Sequence, residues 1–250
     1  MGGHFYPKGM ASKNYLRYYS QVFDYVEIDS SFYHTPTPLM TSRWSKITPE
    51  DFRFTAKVPK SITHDKRLGQ GSDDDLYYFL RAMAPMADKL GCVLLQLPPS
   101  MTMEEGLKKL QNLPFDNRFR YAVEARHGSW FDDEVYSFLR KNELCLAWSQ
   151  LAEIRTPPVV TIDFIYLRFI GDRRIPEAEF GRIQKDRTRE VQYWAGLIAK
   201  LSRHKKLKNG FVPANNHYAG FGPATANSFM GMLGIKQAVR EEMKQSMLDL

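Results

Sequence analysis

The chain has 250 residues, of which 43% are hydrophobic and 25% are charged, and its formal net charge is +7. This length and composition are ordinary for a globular protein, and they predict a single domain covering residues 1–250, without a flexible linker between two domains. No apolar run approaches the roughly 20 residues that cross a bilayer, and the amino terminus carries no basic region followed by an apolar core, so we expect a cytoplasmic protein without a membrane span.

Seven apolar, strand-like runs follow one another along the chain. They are 23–28, 52–58, 92–97, 119–125, 144–148, 164–169 and 210–214. Segments with helical periodicity separate several of them, as after Asp73 and after Thr188, and the acidic residues 132–134 suit the start of another helix. This alternation predicts an α/β protein with a parallel sheet, either closed as a barrel or doubly wound. Because no glycine-rich nucleotide-binding fingerprint follows a strand, the barrel is favoured.

Polar residues recur where the predicted strands end, and in a parallel barrel these ends meet at one rim. The clearest case is the stretch from Tyr121 to Trp130, where an apolar run ends in Glu124, Arg126 and His127. We expect Glu124 to act as a general base or metal ligand whose pKa is shifted by Arg126. His127 either supports these two residues or acts with them. An ion pair between Glu124 and Arg126 that only fixes the rim would explain the same pattern.

Two carboxylates, Glu27 and Asp29, end an earlier run and share a face, which suits acid–base catalysis or cation binding. Capping of the backbone amides that follow Asp29 would account for its position equally well. Lys57 and His64 lie on the next segment and are candidates for binding a phosphate or carboxylate group, although a lone histidine on a loop is more often structural or solvated. Gln96 is a candidate hydrogen-bond partner for a ligand.

Aromatic, amide and guanidinium side chains extend this predicted substrate site. Tyr33 and Trp130 are candidates for stacking on a base or a sugar. Arg168, Asn215 and Asn216 belong to the late loops, which often bind phosphate in barrels, although adjacent asparagines also suit unusual backbone angles. No motif fixes a metal geometry, so the cofactor stays open, a divalent metal included.

The chain contains two cysteines, Cys92 and Cys145, which fall in separate strand-like runs. They have neither the spacing of a zinc motif nor the density of a disulfide framework. We therefore expect both thiols to be reduced and buried.

These motifs, in this order, resemble the YecE-like (DUF72) family over almost the whole chain. The matching stretches are Phe5-Tyr6-Pro7, Val26 to Tyr33, Ala56 to Pro59, Ile62-Thr63-His64, Lys89-Leu90-Gly91, Gln96 to Pro99, Glu124 to Trp130 and Asn215 to Gly220. The resemblance implies a TIM-barrel fold with a pocket at its rim, and it brings no established reaction.

The chain departs from that family's pattern in three places. It begins almost on the Phe5-Tyr6-Pro7 motif, so we expect either a barrel without its first strand or a true start that lies further upstream. Ile170 stands where the family commonly has histidine, and Ser149 stands where an aspartate often ends the sixth strand.

Two functions of different classes fit these residues. The first is a hydrolase or lyase acting on a phosphate-bearing or nucleic-acid substrate, with Glu124 as base and with Arg126 and Lys57 stabilising negative charge. The second is a module that binds nucleic acid or an anionic metabolite without turning it over. Its attraction for polyanions would come from the basic segments 168–189 and 200–208, unless these form only a solvated surface. The oligomeric state is not indicated.

Overall fold

The computed structural model describes residues 5–151, 154–171, 174–203 and 207–235. The strands within these residues are β1 (Tyr25–Ile28), β2 (Arg53–Lys57), β3 (Leu90–Gln96), β4 (Tyr121–Glu124), β5 (Leu144–Leu146), β6 (Trp148–Leu151), β7 (Phe164–Gly171) and β8 (Asn209–Phe211). The α-helices are α1 (Tyr15–Val22), α2 (Pro38–Ile47), α3 (Ser72–Met83), α4 (Met103–Gln111), α5 (Asp133–Lys141), α6 (Thr188–Leu201), α7 (Asn216–Ala219) and α8 (Gly222–Met232). None of the helices in these ranges is long and apolar enough to span a membrane.

The chain divides into two compact units. The first unit is Asp24–Trp148 with Thr156–Ile162, and the second unit comprises the described residues of Met1–Phe23, Ser149–Arg155 and Asp163–Leu250. The expectation of a single domain stays a prediction.

A five-stranded parallel sheet in the order β1-β2-β3-β4-β5 forms the centre of the first unit. Its central strand β3 is almost entirely buried, as a parallel sheet covered on both faces requires. Helix α5, which connects β4 to β5, illustrates how a helix between two strands of this sheet is stabilised. The Asp132 side chain accepts a hydrogen bond from the backbone N–H of Glu134 and caps the helix start, while Val135 and Leu139 are fully buried. Burying each of these two side chains contributes about 1.5–3 kcal/mol.

The second unit contains the sheet β6-β7-β8, in which β7 and β8 run parallel. Helices α6 and α8 contact each other there. An aromatic cluster of Phe5, Tyr18 and Phe23 is buried against α8 residues such as Met230. At the end of β7, Gly171 takes a left-handed φ of 79°, and a Cβ atom there would lie 2.2 Å from the backbone oxygen of His217.

Two details of the predicted elements are corrected. The run 144–148 is not one strand, because it changes sheet at Ala147: β5 pairs with β4, and β6 joins the three-stranded sheet. The described residues therefore form eight strands rather than seven. Helix α3 begins at Ser72 after the left-handed Gly71, so Asp73 lies in its first turn rather than before it.

Both cysteines are buried on the five-stranded sheet, as predicted, and neither is part of a disulfide. The register pairs Thr55 with Cys92 and Ala122 with Cys145. Burial raises the pKa of the Cys92 thiol well above its ordinary value, with a smaller contribution from Cys145. Both thiols are therefore shielded from solvent in the folded state.

Lys89 caps the carboxyl end of α2, where the last carbonyl groups have no backbone N–H partner within the helix. Its ammonium donates to the carbonyl oxygens of Ser45, Thr48 and Pro49 at 2.7, 2.8 and 2.7 Å. We expect Lys89→Met, which keeps the aliphatic stem, to lower the free energy of unfolding by about 1.5–3 kcal/mol. Urea denaturation measures this loss. Lys46→Met, at an exposed position in the same helix turn, is the control and should change it by less than about 0.5 kcal/mol. Equal effects of the two substitutions would contradict the assignment.

Candidate functional site

Three polar side chains end adjacent strands on one face of the five-stranded sheet. Lys57 ends β2, Gln96 ends β3 and Glu124 ends β4. Gln96 pairs in register with Glu124, and Lys57 pairs with Leu94, which lies two residues before Gln96 and so on the same face. All three are buried, and Glu124 has no exposed surface at all. Because burying charged groups costs free energy that packing does not return, such a cluster marks a candidate site.

Glu124 forms an ion pair with Arg126, one of the two explanations that the sequence left open. Arg126 Nε donates to Glu124 Oε1 at 2.9 Å, and the Arg126 side chain is only 19% exposed. A buried carboxylate requires such a partner. The pairing is compatible with catalysis as well as with a purely structural role.

Lys57 is the centre of a second set of contacts. Its ammonium lies 2.5 Å from Asp29 Oδ1, 3.4 Å from Gln96 Oε1 and 4.3 Å from the centre of the Phe32 ring. The Asp29 side chain is 52% exposed, and it makes no capping hydrogen bond to the turn that follows. The capping explanation of Asp29 is therefore wrong.

Ser31 and Phe32 were not singled out in the sequence, yet they position this cluster. The buried Ser31 hydroxyl lies 2.8 Å from the carbonyl oxygen of Ile28 and 2.7 Å from that of Lys57. It thereby joins the ends of β1 and β2 and holds the 3-10 turn Ser30–Phe32 in place. The only signal in the sequence was membership of the 26–33 motif.

Glu27 and Tyr33 flank these contacts. Glu27 lies two residues before Asp29, paired in register with Thr55, so it is further from the carboxyl end of the sheet. The Tyr33 ring is 58% exposed and meets the Phe32 ring edge-on at 5.3 Å. Asp29 is thus the carboxylate that contacts Lys57, and the acid–base role of Glu27 stays a prediction.

His64 lies on a short π-helical turn, Ser61–Asp65, a local geometry that is frequent at functional sites. Its Nδ1 is 2.8 Å from the hydroxyl of the buried Thr63, and its ring meets Phe32 edge-on at 5.1 Å. Burial lowers the pKa of His64, and the positive charge of Arg126 lowers it further. The imidazole is therefore mainly neutral at neutral pH.

The loop that carries His64 is held in an unusual conformation. Arg67 and Leu68 both adopt left-handed φ angles, 49° and 56°, which cost free energy for residues other than glycine. Leu68 is buried, while the Arg67 guanidinium is hydrogen-bonded to Glu105 in α4 and to the hydroxyl of Ser100. These anchors stabilise a backbone that would otherwise relax.

Glu105 is the carboxylate of this anchor, and hydrogen bonds from Arg67 and then Lys109 lower its pKa from 4.5 to about 2. A lowered carboxyl pKa adds stability above the unfolded-state pKa, and this stability disappears as the pH falls towards 2. We expect Glu105→Gln to destabilise the protein at neutral pH, with the difference from wild type closing below about pH 4.5. Denaturation at several pH values measures it.

Hydrogen exchange provides the local test of the same anchor. Glu105→Gln should accelerate amide exchange in residues 61–68, because the loop loses its charged partner. Glu104→Gln, one residue earlier on the exposed side of α4, is the control and should leave exchange in that loop unchanged. Unaltered exchange in Glu105→Gln would contradict the anchoring role.

His127 and Trp130 stabilise the turn after β4. His127 Nδ1 lies 2.9 Å from Ser129 Oγ and accepts from the Ser129 backbone N–H. Trp130 is 1% exposed, and its indole N–H donates to the carbonyl oxygen of Met101 at 2.9 Å. This burial leaves no ring face for a ligand to stack on, so we exclude Trp130 from the site that carries the proposal below.

The remaining predicted site residues, Arg168, Asn215 and Asn216, lie in the second unit. Arg168 is a buried residue of β7. Asn215 caps α7 by accepting from the backbone N–H of His217, and the buried Asn216 Oδ1 accepts from that of Gly222. Both amide oxygens therefore support loop conformation, and substrate binding by these three residues stays a prediction.

No cluster of three or more histidine, cysteine, aspartate or glutamate side chains in the described ranges is arranged to hold a metal ion. Parts of both basic segments, including Arg173, Lys205 and Lys206, lie outside the described residues. The predicted role of these segments in polyanion binding is therefore untested.

Comparisons with known proteins show the family to which the chain is similar. A family model described as "Protein of unknown function DUF72" matches residues 1–247. The UPF0759 protein YecE of Escherichia coli K12 is 36% identical over 119 residues, which are 46% of this chain and 43% of that protein. The UPF0759 protein YunF of Bacillus subtilis is 30% identical over 143 residues, or 52% of this chain and 49% of that protein. The chain thus matches about half the length of these relatives.

Solved structures show the same fold. A DUF72 family protein of Thermotoga maritima is 29% identical, with a TM-score of 0.76 over 93% of this chain and 94% of that one. A DUF72 family protein of Enterococcus faecalis is 24% identical, with a TM-score of 0.75 over 91% of this chain and 96% of that one. The protein is therefore of the TIM-barrel-like α/β class, as predicted. Since the family model spans nearly all of it, the chain belongs to the DUF72 family, whose function is unknown.

Proposed function

We propose that the first unit carries an acid–base active site that hydrolyses or eliminates a phosphate-bearing substrate, with nucleic acid as one candidate. The observation that carries this proposal is the fully buried Glu124, ion-paired to Arg126 at the carboxyl end of β4. Hydrolysis and elimination share the step for which Glu124 is suited, in which a carboxylate accepts a proton from water or from substrate carbon. The guanidinium of Arg126 and the ammonium of Lys57 would stabilise the negative charge that develops on oxygen.

The charges of the cluster favour an enzyme over a binding module. Lys57 is paired with Asp29, and Arg126 with Glu124. A module that only holds a polyanion gains affinity from unpaired cations and loses it to carboxylates beside them. The two carboxylates instead suit a site in which protons move. Two buried thiols that form no disulfide suit a reducing compartment, so we propose that this activity occurs in the cytoplasm.

The test is a screen of labelled single-stranded, duplex and abasic-site oligonucleotides together with chromogenic phosphate mono- and diesters. Binding and cleavage are followed with and without divalent metal, for the wild type and for Glu124→Gln. Cleavage that disappears in the variant supports the proposal. Salt-sensitive binding without cleavage overturns it in favour of the binding module, and neither binding nor cleavage overturns the assignment of a phosphate-bearing substrate.

A further inference from the structure

Three nitrogen-bearing side chains of the first unit gather at the candidate site. Lys57 and His64 both contact the Phe32 ring, the ammonium at 4.3 Å from its centre and the imidazole edge-on at 5.1 Å. Lys57 Nζ also lies 3.4 Å from Gln96 Oε1, and Gln96 pairs in register with Glu124, the ion-pair partner of Arg126. The three groups are therefore neighbours, although β2, the π-helical turn and the segment after β4 supply them separately.

Two of these groups hold nitrogen atoms that make no hydrogen bond within the described part of the chain. Arg126 donates to Glu124 through Nε, and neither Nη1 nor Nη2 bonds to a described residue. His64 contacts Thr63 through Nδ1, and its Nε2 makes no hydrogen bond within the same ranges. Terminal guanidinium nitrogens and an imidazole N–H are the donors that bind phosphate and carboxylate oxygens.

The charge balance of the cluster determines what would bind an anion there. Asp29 neutralises Lys57, and Glu124 neutralises Arg126, so these two ion pairs carry no net charge. Protonation of His64 would give the cluster the net positive charge that attracts an anion. In the free protein the pKa of His64 is held below its ordinary value, first by burial and then by Arg126, Lys57 and Arg67, with Asp65 opposing.

We infer that Arg126, Lys57 and His64 form one oxyanion subsite, and that His64 takes up a proton from solvent as the phosphate group of the substrate enters. The inference deepens the proposed function, because it names the groups that hold the phosphate. The entering negative charge offsets the cations around His64 and makes the imidazolium stable. Its Nδ1–H then donates to the Thr63 hydroxyl, and its Nε2–H donates to the anion.

The anchored loop makes this arrangement preorganised. His64 precedes the left-handed pair Arg67 and Leu68, which Glu105 and the buried position of Leu68 hold in place. An imidazole on such a loop needs little rearrangement before it meets the anion. The strained backbone thus has a direct use in binding.

Sulfate binding tests the inference without any turnover, since sulfate mimics a phosphate dianion and does not titrate near neutral pH. Calorimetry in two buffers of different ionisation enthalpy should show uptake of about one proton per sulfate. The affinity for sulfate should rise as the pH falls through the range between two pKa values of His64. The upper one is its raised pKa in the sulfate complex, and the lower one is its lowered pKa in the free protein. His64→Gln should weaken sulfate binding about tenfold near pH 6 and remove both the proton uptake and the pH dependence.

The control is His34→Gln, an exposed histidine outside the cluster, which should bind sulfate as the wild type does. The His64 proton resonances of wild-type protein give a second measurement that needs no variant, because they should move to their imidazolium positions on sulfate addition. Binding without proton uptake, or no binding at all, overturns the inference. Failure of the cleavage screen leaves this test unaffected, so the two proposals can fail separately.

Discussion

Glu124→Gln should lower turnover of a substrate found in the screen by about 100- to 10,000-fold, the usual contribution of a general base. Glutamine has nearly the same shape and can still accept the hydrogen bond from Arg126, but it has no basic carboxylate. Because the proposed subsite binds the phosphate through Arg126, Lys57 and His64, affinity for the substrate should change much less than turnover. Steady-state kinetics of both proteins, with direct binding measurements, separate the two quantities.

The control for this prediction is Glu134→Gln, an exposed glutamate in the first turn of α5, which should retain wild-type kinetics. Denaturation curves for each variant show whether the fold is intact. Turnover by a folded Glu124→Gln protein within about threefold of wild type would reduce the Glu124–Arg126 pair to a structural role.

Gly171→Ala should destabilise the protein by about 2–5 kcal/mol, because two separate costs add. A residue with a Cβ atom pays about 1–2 kcal/mol for a left-handed φ, and Gly171 has a φ of 79°. The new Cβ would also lie 2.2 Å from the backbone oxygen of His217 and 2.7 Å from Cα of Tyr218. These are backbone atoms, so no side-chain rotation relieves the clash, and overpacking of this kind costs about 1–3 kcal/mol.

The same substitution at Gly196 should have the opposite sign. Gly196 lies inside helix α6, and a Cβ atom there would meet nothing within 4 Å. Alanine should therefore raise the free energy of unfolding by about 0.5–1 kcal/mol through helix propensity. Urea denaturation of the two variants side by side measures both values. Equal stability of Gly171→Ala and wild type would show that the end of β7 can shift away from α7.

Much of the candidate site followed from one regularity in the sequence, that a polar residue near the end of each apolar run lies where a parallel strand ends. This predicted the strand-end positions of Lys57, Gln96 and Glu124, because the chemistry of each position is local. The ion pair of Glu124 with Arg126 was foreseeable for the same reason, since the two residues are two apart. The α/β class likewise followed from the alternation of apolar runs with helical periods.

Contacts between distant segments were not predictable from local pattern. Arg67 and Leu68 follow the π-helical turn at His64, and neither residue type indicates a left-handed backbone, since glycine usually takes that role. An anchor 38 residues away in Glu105 makes the conformation possible. The environment of Trp130 also depends on a contact between distant segments. A tryptophan in a motif suggests a stacking surface, but the indole N–H of Trp130 donates a hydrogen bond to the buried carbonyl oxygen of Met101.

The burial of Cys92 and Cys145 gives this protein an intrinsic reporter of conformational opening. The chain has no other cysteine, and both thiols lie in the five-stranded sheet. A thiol-specific reagent in solution can modify them only when that sheet opens, so the labelling rate measures how often the first unit is exposed. Every variant of the candidate site can thus be compared by one reaction that requires no introduced probe and is independent of the substrate.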